Sequence, residues 1–118
     1  MEYITLANTG NVTDFGDLSA AARNSSGMGS STRGIFSGGF TSGNIDVMEY
    51  ITIANTGNVT DFGNLLASTS RLSATSSSTR GLIAGGASAS NVIQYVTIAS
   101  TGNASDFGDL TAGRDDLA

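Results

Sequence analysis

The chain has 118 residues, 39% of them hydrophobic, enough for one small domain with a modest core. It contains no His, Cys, Lys, Trp or Pro, which removes the commonest general base, the Cys-containing zinc and disulfide frameworks, and Schiff-base or P-loop lysine chemistry. Five Arg against ten acidic residues give a net charge of −5, so there is no basic patch for the phosphates of a nucleic acid and no nucleic-acid partner is expected.

The first segment, residues 1–18 (MEYITLANTGNVTDFGDL), returns as residues 48–65 with 16 of 18 positions identical and as residues 93–110 with 11 of 18 identical to the middle copy. Tyr3 recurs as Tyr50 and Tyr95, Gly10 as Gly57 and Gly102, and Phe15 as Phe62 and Phe107, so the period is 47 residues and then 45. A unit copied at fixed period buries its apolar face against its neighbours. Next along the chain, residues 30–39 (SSTRGIFSGG) return as residues 77–86 (SSTRGLIAGG). The two residues lost in the second interval fall between Gly86 and Tyr95, a position that reads as a loop.

Within a repeat the elements are strands. Residues 25–31 are small and polar, and residues 33–39 carry an apolar strand that ends in the pair Gly38-Gly39. Tyr50-Ile51-Thr52-Ile53-Ala54 alternates at period two and is rich in β-branched residues. Asn55-Thr56-Gly57-Asn58 supplies turn chemistry and predicts a hairpin into a return strand through Phe62, ended by a Gly break at Gly63. Four short strands per repeat, with no helical period, match the length of one β-propeller blade.

That order of features resembles a kelch blade, with Gly38-Gly39 and Gly85-Gly86 in place of the kelch double glycine and Phe15, Phe62 and Phe107 where kelch repeats carry Trp. The combination Ser-Thr-Arg-Gly, a Gly pair, Tyr-[Ile/Val]-Thr-Ile-Ala and Thr-Gly-Asn-x-x-Asp-Phe-Gly also resembles tandem repeats of structural and tail-fibre-like proteins of marine bacteriophages. The resemblance implies an all-β chain of about two and a half four-stranded antiparallel blades. Residues 1–18 would be an outer half-blade, 19–65 and 66–110 full blades, and 111–118 the start of a next repeat. Closed propellers need about four blades or more, so the expectation is an incomplete propeller, a piece of a longer array, or one part of an oligomeric ring. Edges left open at both ends make such a chain marginal alone or prone to self-association.

Several short motifs could carry chemistry. Asp14-Phe15-Gly16, Asp61-Phe62-Gly63 and Asp106-Phe107-Gly108 spell the kinase DFG, but without Lys that chemistry cannot be assembled, and a Phe buried between blades is the better account. Asp14 with Asp17, Asp106 with Asp109, and the ending Gly113-Arg114-Asp115-Asp116, which resembles the calcium loop of FG-GAP repeats, pose calcium as an alternative. The dense Asp-Asn-Gly alternation of such a loop is missing, and Asn64 replaces the second Asp in the middle copy.

Arg23, Arg71 and Arg114 before the first strand, and Arg33 and Arg80 in the turn after it, are expected to pair with repeated carboxylates such as Asp14 or Asp61 and tie blade to blade. Gly27, Gly29, Gly34, Gly38 and Gly39 are followed by no helix and so form no phosphate cradle; crowding between neighbouring first strands explains them instead. No Ser nucleophile has a base, and the recurring Asp residues do not form the asymmetric pair of a glycosidase.

No residue is therefore assigned to a catalytic, cofactor or metal site, and no cofactor is expected. No run approaches the roughly 18 apolar residues of a membrane helix, and no basic-then-apolar start marks a signal peptide, so neither a membrane partner nor export by the general secretory route is expected. The expected role is a non-enzymatic structural or adhesion module, on a virion surface if the phage resemblance holds. Loops at residues 40–47 and 87–93 would meet a host glycan or protein. The alternative is a lectin-like propeller with one shallow sugar site per blade.

Overall fold

Each Tyr-containing segment forms a strand, and every strand pairs with the one that precedes it or follows it. The computed structural model describes residues 1–117, which contain three antiparallel sheets and no helix. Strands β1 (Glu2–Tyr3) and β2 (Thr13–Asp14) make a hairpin. Strands β3 (Ser26–Gly29), β4 (Arg33–Phe40), β5 (Asn44–Thr52) and β6 (Thr60–Thr69) form one four-stranded meander. Strands β7 (Ser73–Ser76), β8 (Arg80–Ala84), β9 (Val92–Thr97) and β10 (Ser105–Asp109) form the second. The three sheets thus have two, four and four strands, and no sheet closes on itself.

The core lies between the two larger sheets. Met28, Ile35, Met48, Phe62 and Leu65 of the first sheet cluster with Ile83 and Val96 of the second, with Ile98 and Ala104 of the β9–β10 connection and Leu72 of the segment between the sheets beside them. Burying one such large side chain contributes about 1.5–3 kcal/mol, so this one layer dominates the stability of the chain. Close approach needs small residues opposite large ones. A Cβ on Gly81 would stand 2.2 Å from the Met28 sulfur, so the absence of a side chain there is what lets Met28 reach the second sheet.

Three expected details differ. The strand through Tyr50 stops at Thr52, because the chain turns there: Asn55 N–H donates to the Thr52 carbonyl at 3.0 Å, as Ser100 N–H does to that of Thr97 at 3.1 Å. Gly63 does not end its strand, since β6 runs on to Thr69. The loops differ from residues 40–47 and 87–93: Asn44 to Val47 belong to β5, which shortens the first connection to 41–43, and Val92 and Ile93 belong to β9 while Gly85 and Gly86 leave β8, which shifts the second to 85–91. The second connection is the longer one despite the two-residue deletion, because β8 stops at Ala84, where Gly85 N–H donates to the Val92 carbonyl and Gly86 N–H to that of Arg114. Of the segment 111–118, expected to open a next repeat, Ala118 lies outside the described residues.

Candidate functional site

The residues shared by all three copies meet at the seams between sheets. In the second and third Asp-Phe-Gly the Phe is the extra residue of a β-bulge: Met48 pairs with Gly63 and Glu49 with Asp61, leaving Phe62 between, and Ile93 with Gly108 and Gln94 with Asp106 leave Phe107. The bulge lets the Phe ring turn onto the Tyr of the neighbouring strand. Tyr3–Phe15, Tyr50–Phe62 and Tyr95–Phe107 are edge-to-face pairs with centroids 5.8, 6.0 and 6.1 Å apart.

The same bulge exposes backbone groups to the next repeat. Gly57 N–H donates to the Phe15 carbonyl at 2.7 Å, Val59 N–H to that of Asp17 at 3.1 Å, and Asp17 N–H to Asn58 Oδ1 at 3.0 Å. One repeat later Gly102 N–H donates to the Phe62 carbonyl at 2.7 Å, Ala104 N–H to that of Asn64 at 2.9 Å, and Asn64 N–H to Asn103 Oδ1 at 3.0 Å. The bulge glycine must be glycine for two reasons. Its φ is +145° at Gly16 and +146° at Gly63, and a Cβ there would stand 2.1 Å from the Gly57 oxygen or 2.3 Å from that of Gly102.

The seam explains why Asp17, Asn64 and Asp109 interchange: in the first two only the backbone is engaged. It also accounts for Thr-Gly-Asn, which does more than turn the chain. Its Gly N–H and its Asn side chain are the donor and acceptor that hold the preceding repeat. A sequence signal for this existed in the identity of Thr-Gly-Asn across all copies, which a simple turn would not demand. A second missed residue is Gln94, buried, whose Oε1 accepts from Leu66 N–H at 2.9 Å across the two sheets. Its counterparts Glu2 and Glu49 are not buried, and the amide avoids burying a charge.

The arginines do not pair with Asp14 or Asp61. Arg33 lies over the Tyr50 ring at 4.2 Å and Arg80 over Tyr95 at 4.6 Å, while Arg33 Nη1 donates to the Ile98 carbonyl at 2.8 Å across the seam. A planar guanidinium stacks on an aromatic face while donating sideways, which is why Arg suits this place. Nor are Arg23, Arg71 and Arg114 equivalent. Asn24, Arg71 and Asp116 share positive φ, and Arg71 N–H donates to the Asn24 carbonyl as Asp116 N–H does to that of Arg71, both at 3.0 Å. Arg23 instead lies over Phe40, and Arg71 pairs at the surface with Asp115 at 3.3 Å and Asp116 at 3.8 Å.

The structure brings no three acidic side chains together among the described residues. Gly29 serves close approach of the first strands: its N–H donates to Ser76 Oγ at 3.1 Å and its carbonyl accepts from the same hydroxyl at 2.8 Å. No protein-family model matches the chain, and no curated protein matches it in sequence.

Proposed function

We propose that the chain is a non-enzymatic scaffold and adhesion module built of kelch-like propeller blades, of the kind that phage structural and tail-fibre-like proteins carry on a virion surface. The observation that carries this reading is where the copied residues are used. Tyr, Phe, Gly and Asn of the repeated motif and Arg33 of Ser-Thr-Arg-Gly are engaged in joining strand to strand and sheet to sheet. Residues that a repeat spends on its own assembly are not free to do chemistry.

Two further features support it. The first strands β3 and β7 lie side by side while the fourth strands β6 and β10 touch far less, as wedges round a centre would. The connections at 41–43 and 85–91, on the edge opposite the Thr-Gly-Asn turns, are where the copies differ in both sequence and length, and a fixed scaffold presents recognition through such loops. A host-surface glycan or protein is the partner class this edge would meet.

The test replaces both connections with Gly/Ser of equal length and compares the variant with the original chain on immobilised bacterial surface polysaccharide. The expected result is lost retention with the melting temperature within a few degrees of the original. Retention unchanged by the replacement removes the loops from the role. Binding that follows the number of repeats on a glycan array supports the lectin alternative instead.

A further inference from the structure

We propose that this chain associates head to tail with a second copy of itself, the β1–β2 hairpin of one copy seating on the outer half of the β7–β10 sheet of the other. The inference goes beyond the adhesive role and does not depend on what the loops bind.

The seam described above occurs twice within the chain, and each half of it is present once more without a partner. At the tail, Phe107 is 52% exposed although its counterpart Phe62 is 2% exposed, and a Cβ on Gly108 would meet nothing within 4 Å although Gly63 is pressed against Gly102. Arg80 stacks on Tyr95 as Arg33 does on Tyr50, but only Arg33 has a carbonyl to donate to. At the head, Leu6 is 93% exposed although its counterpart Ile98 is 1% exposed, and a Cβ on Gly10 would likewise meet nothing. Ile4 and Val12 are exposed where Val96 and Ala104 are buried.

The unmet groups are complementary one for one. Placed as residues 100–104 are placed on Phe62 to Asn64, the head of a second copy brings Gly10 N–H to the Phe107 carbonyl, Asn11 Oδ1 to Asp109 N–H, and Val12 N–H to the Asp109 carbonyl. Arg80 Nη1 then reaches the Leu6 carbonyl, and the Leu6 side chain takes the place that Ile98 holds at the existing seam. Residues 1–18 already show that an outer half alone can hold one side of this contact: they supply the Phe-Gly side, with the Phe15 and Asp17 carbonyls and Asp17 N–H bonded to residues 57–59 and Phe15 buried to 8% exposure. Val12 fits where Ala104 sits, because Val59 fills the same position at the first seam. The surface used by one copy differs from that used by the other, so the contact is heterologous and can propagate.

Sedimentation velocity and light scattering on the full chain, from micromolar to millimolar concentration, read the association directly. The expected result is a mass that rises with concentration. Leu6→Asp blocks the head, and its solvent-exposed position leaves the fold unchanged; Phe107→Lys blocks the tail, with Arg80→Ala as a milder tail variant should the first misfold. Each variant alone should stay at the monomer mass, and an equimolar mixture of a head-blocked and a tail-blocked chain should form a one-to-one dimer that grows no further. A wild-type chain that stays monomeric throughout, or a head-blocked variant that associates as the wild type does, overturns the proposal, as does a mixture that remains monomeric.

Discussion

The two four-stranded sheets carry nearly the same sequence and stand in different environments. The β3–β6 sheet has a neighbour on both sides: the β1–β2 hairpin reaches over its outer strands, and the β7–β10 sheet covers its other face. The β7–β10 sheet has a neighbour on one side alone. The same Tyr–Phe pair, bulge glycine and stacked Arg therefore exist twice, once inside a seam and once facing solvent. A motif's contribution to stability thus follows from what the next repeat places against it, and local geometry alone contributes only a part.

The largest difference should lie at the bulge glycines. Gly63→Ala adds an atom to a strained φ and drives it into the Gly102 carbonyl, whereas Gly108→Ala meets the strain without the collision. Chemical denaturation should show a loss of about 4 kcal/mol or more for the first and about 1–3 kcal/mol for the second. Equal losses would mean that the backbone strain, and not the seam, sets the requirement for glycine.

Phenylalanine comes next. Phe62→Ala empties the centre of the core and should cost about 3–5 kcal/mol, while Phe107→Ala in the dilute monomer should cost about 1 kcal/mol, chiefly the edge-to-face contact with Tyr95. Thermal unfolding of the two variants side by side checks this, and a ratio near one would break the contrast between the covered and the open sheet.

The smallest effect is expected from the Asn of Thr-Gly-Asn. Asn103→Ala removes the acceptor of Asn64 N–H and should cost about 1 kcal/mol, and Asn58→Ala should cost the same through Asp17 N–H. Asn11→Ala should leave the stability of the dilute monomer unchanged, and a measurable loss there would show that Asn11 has a partner within its own chain.

Much of the architecture was legible because it is local. The alternation around Tyr50 and the Gly-Asn turn chemistry yield strands and hairpins whatever else is nearby, and copying at 47 and 45 residues requires the units to repeat. Two local readings failed. Gly63 looks like a strand end because Gly is a poor strand residue, yet it sits inside β6, where the bulge uses its positive φ. Ile53 looks like the continuation of a strand, yet the chain turns directly after Thr52, where Asn55 N–H donates to the Thr52 carbonyl.

The arginines show the limit more clearly. Charge arithmetic pairs a guanidinium with a carboxylate, but Arg33 and Arg80 stack on tyrosines of the next strand, and Arg23, Arg71 and Arg114 differ by a residue or more in register. One-letter similarity aligned them; only the repeated backbone hydrogen bonds assign their places.

The sequence by itself determined the strands, their order and the repeat, because these follow from side-chain periodicity and turn conformations within a few residues. The tertiary structure alone decided that Asp-Phe-Gly is a bulge and Thr-Gly-Asn its clasp, and that Phe62 is buried while Phe107 is open. Those outcomes depend on backbone groups from two repeats meeting across a seam, and a donor or acceptor carries no mark in the sequence of the distant group that will satisfy it.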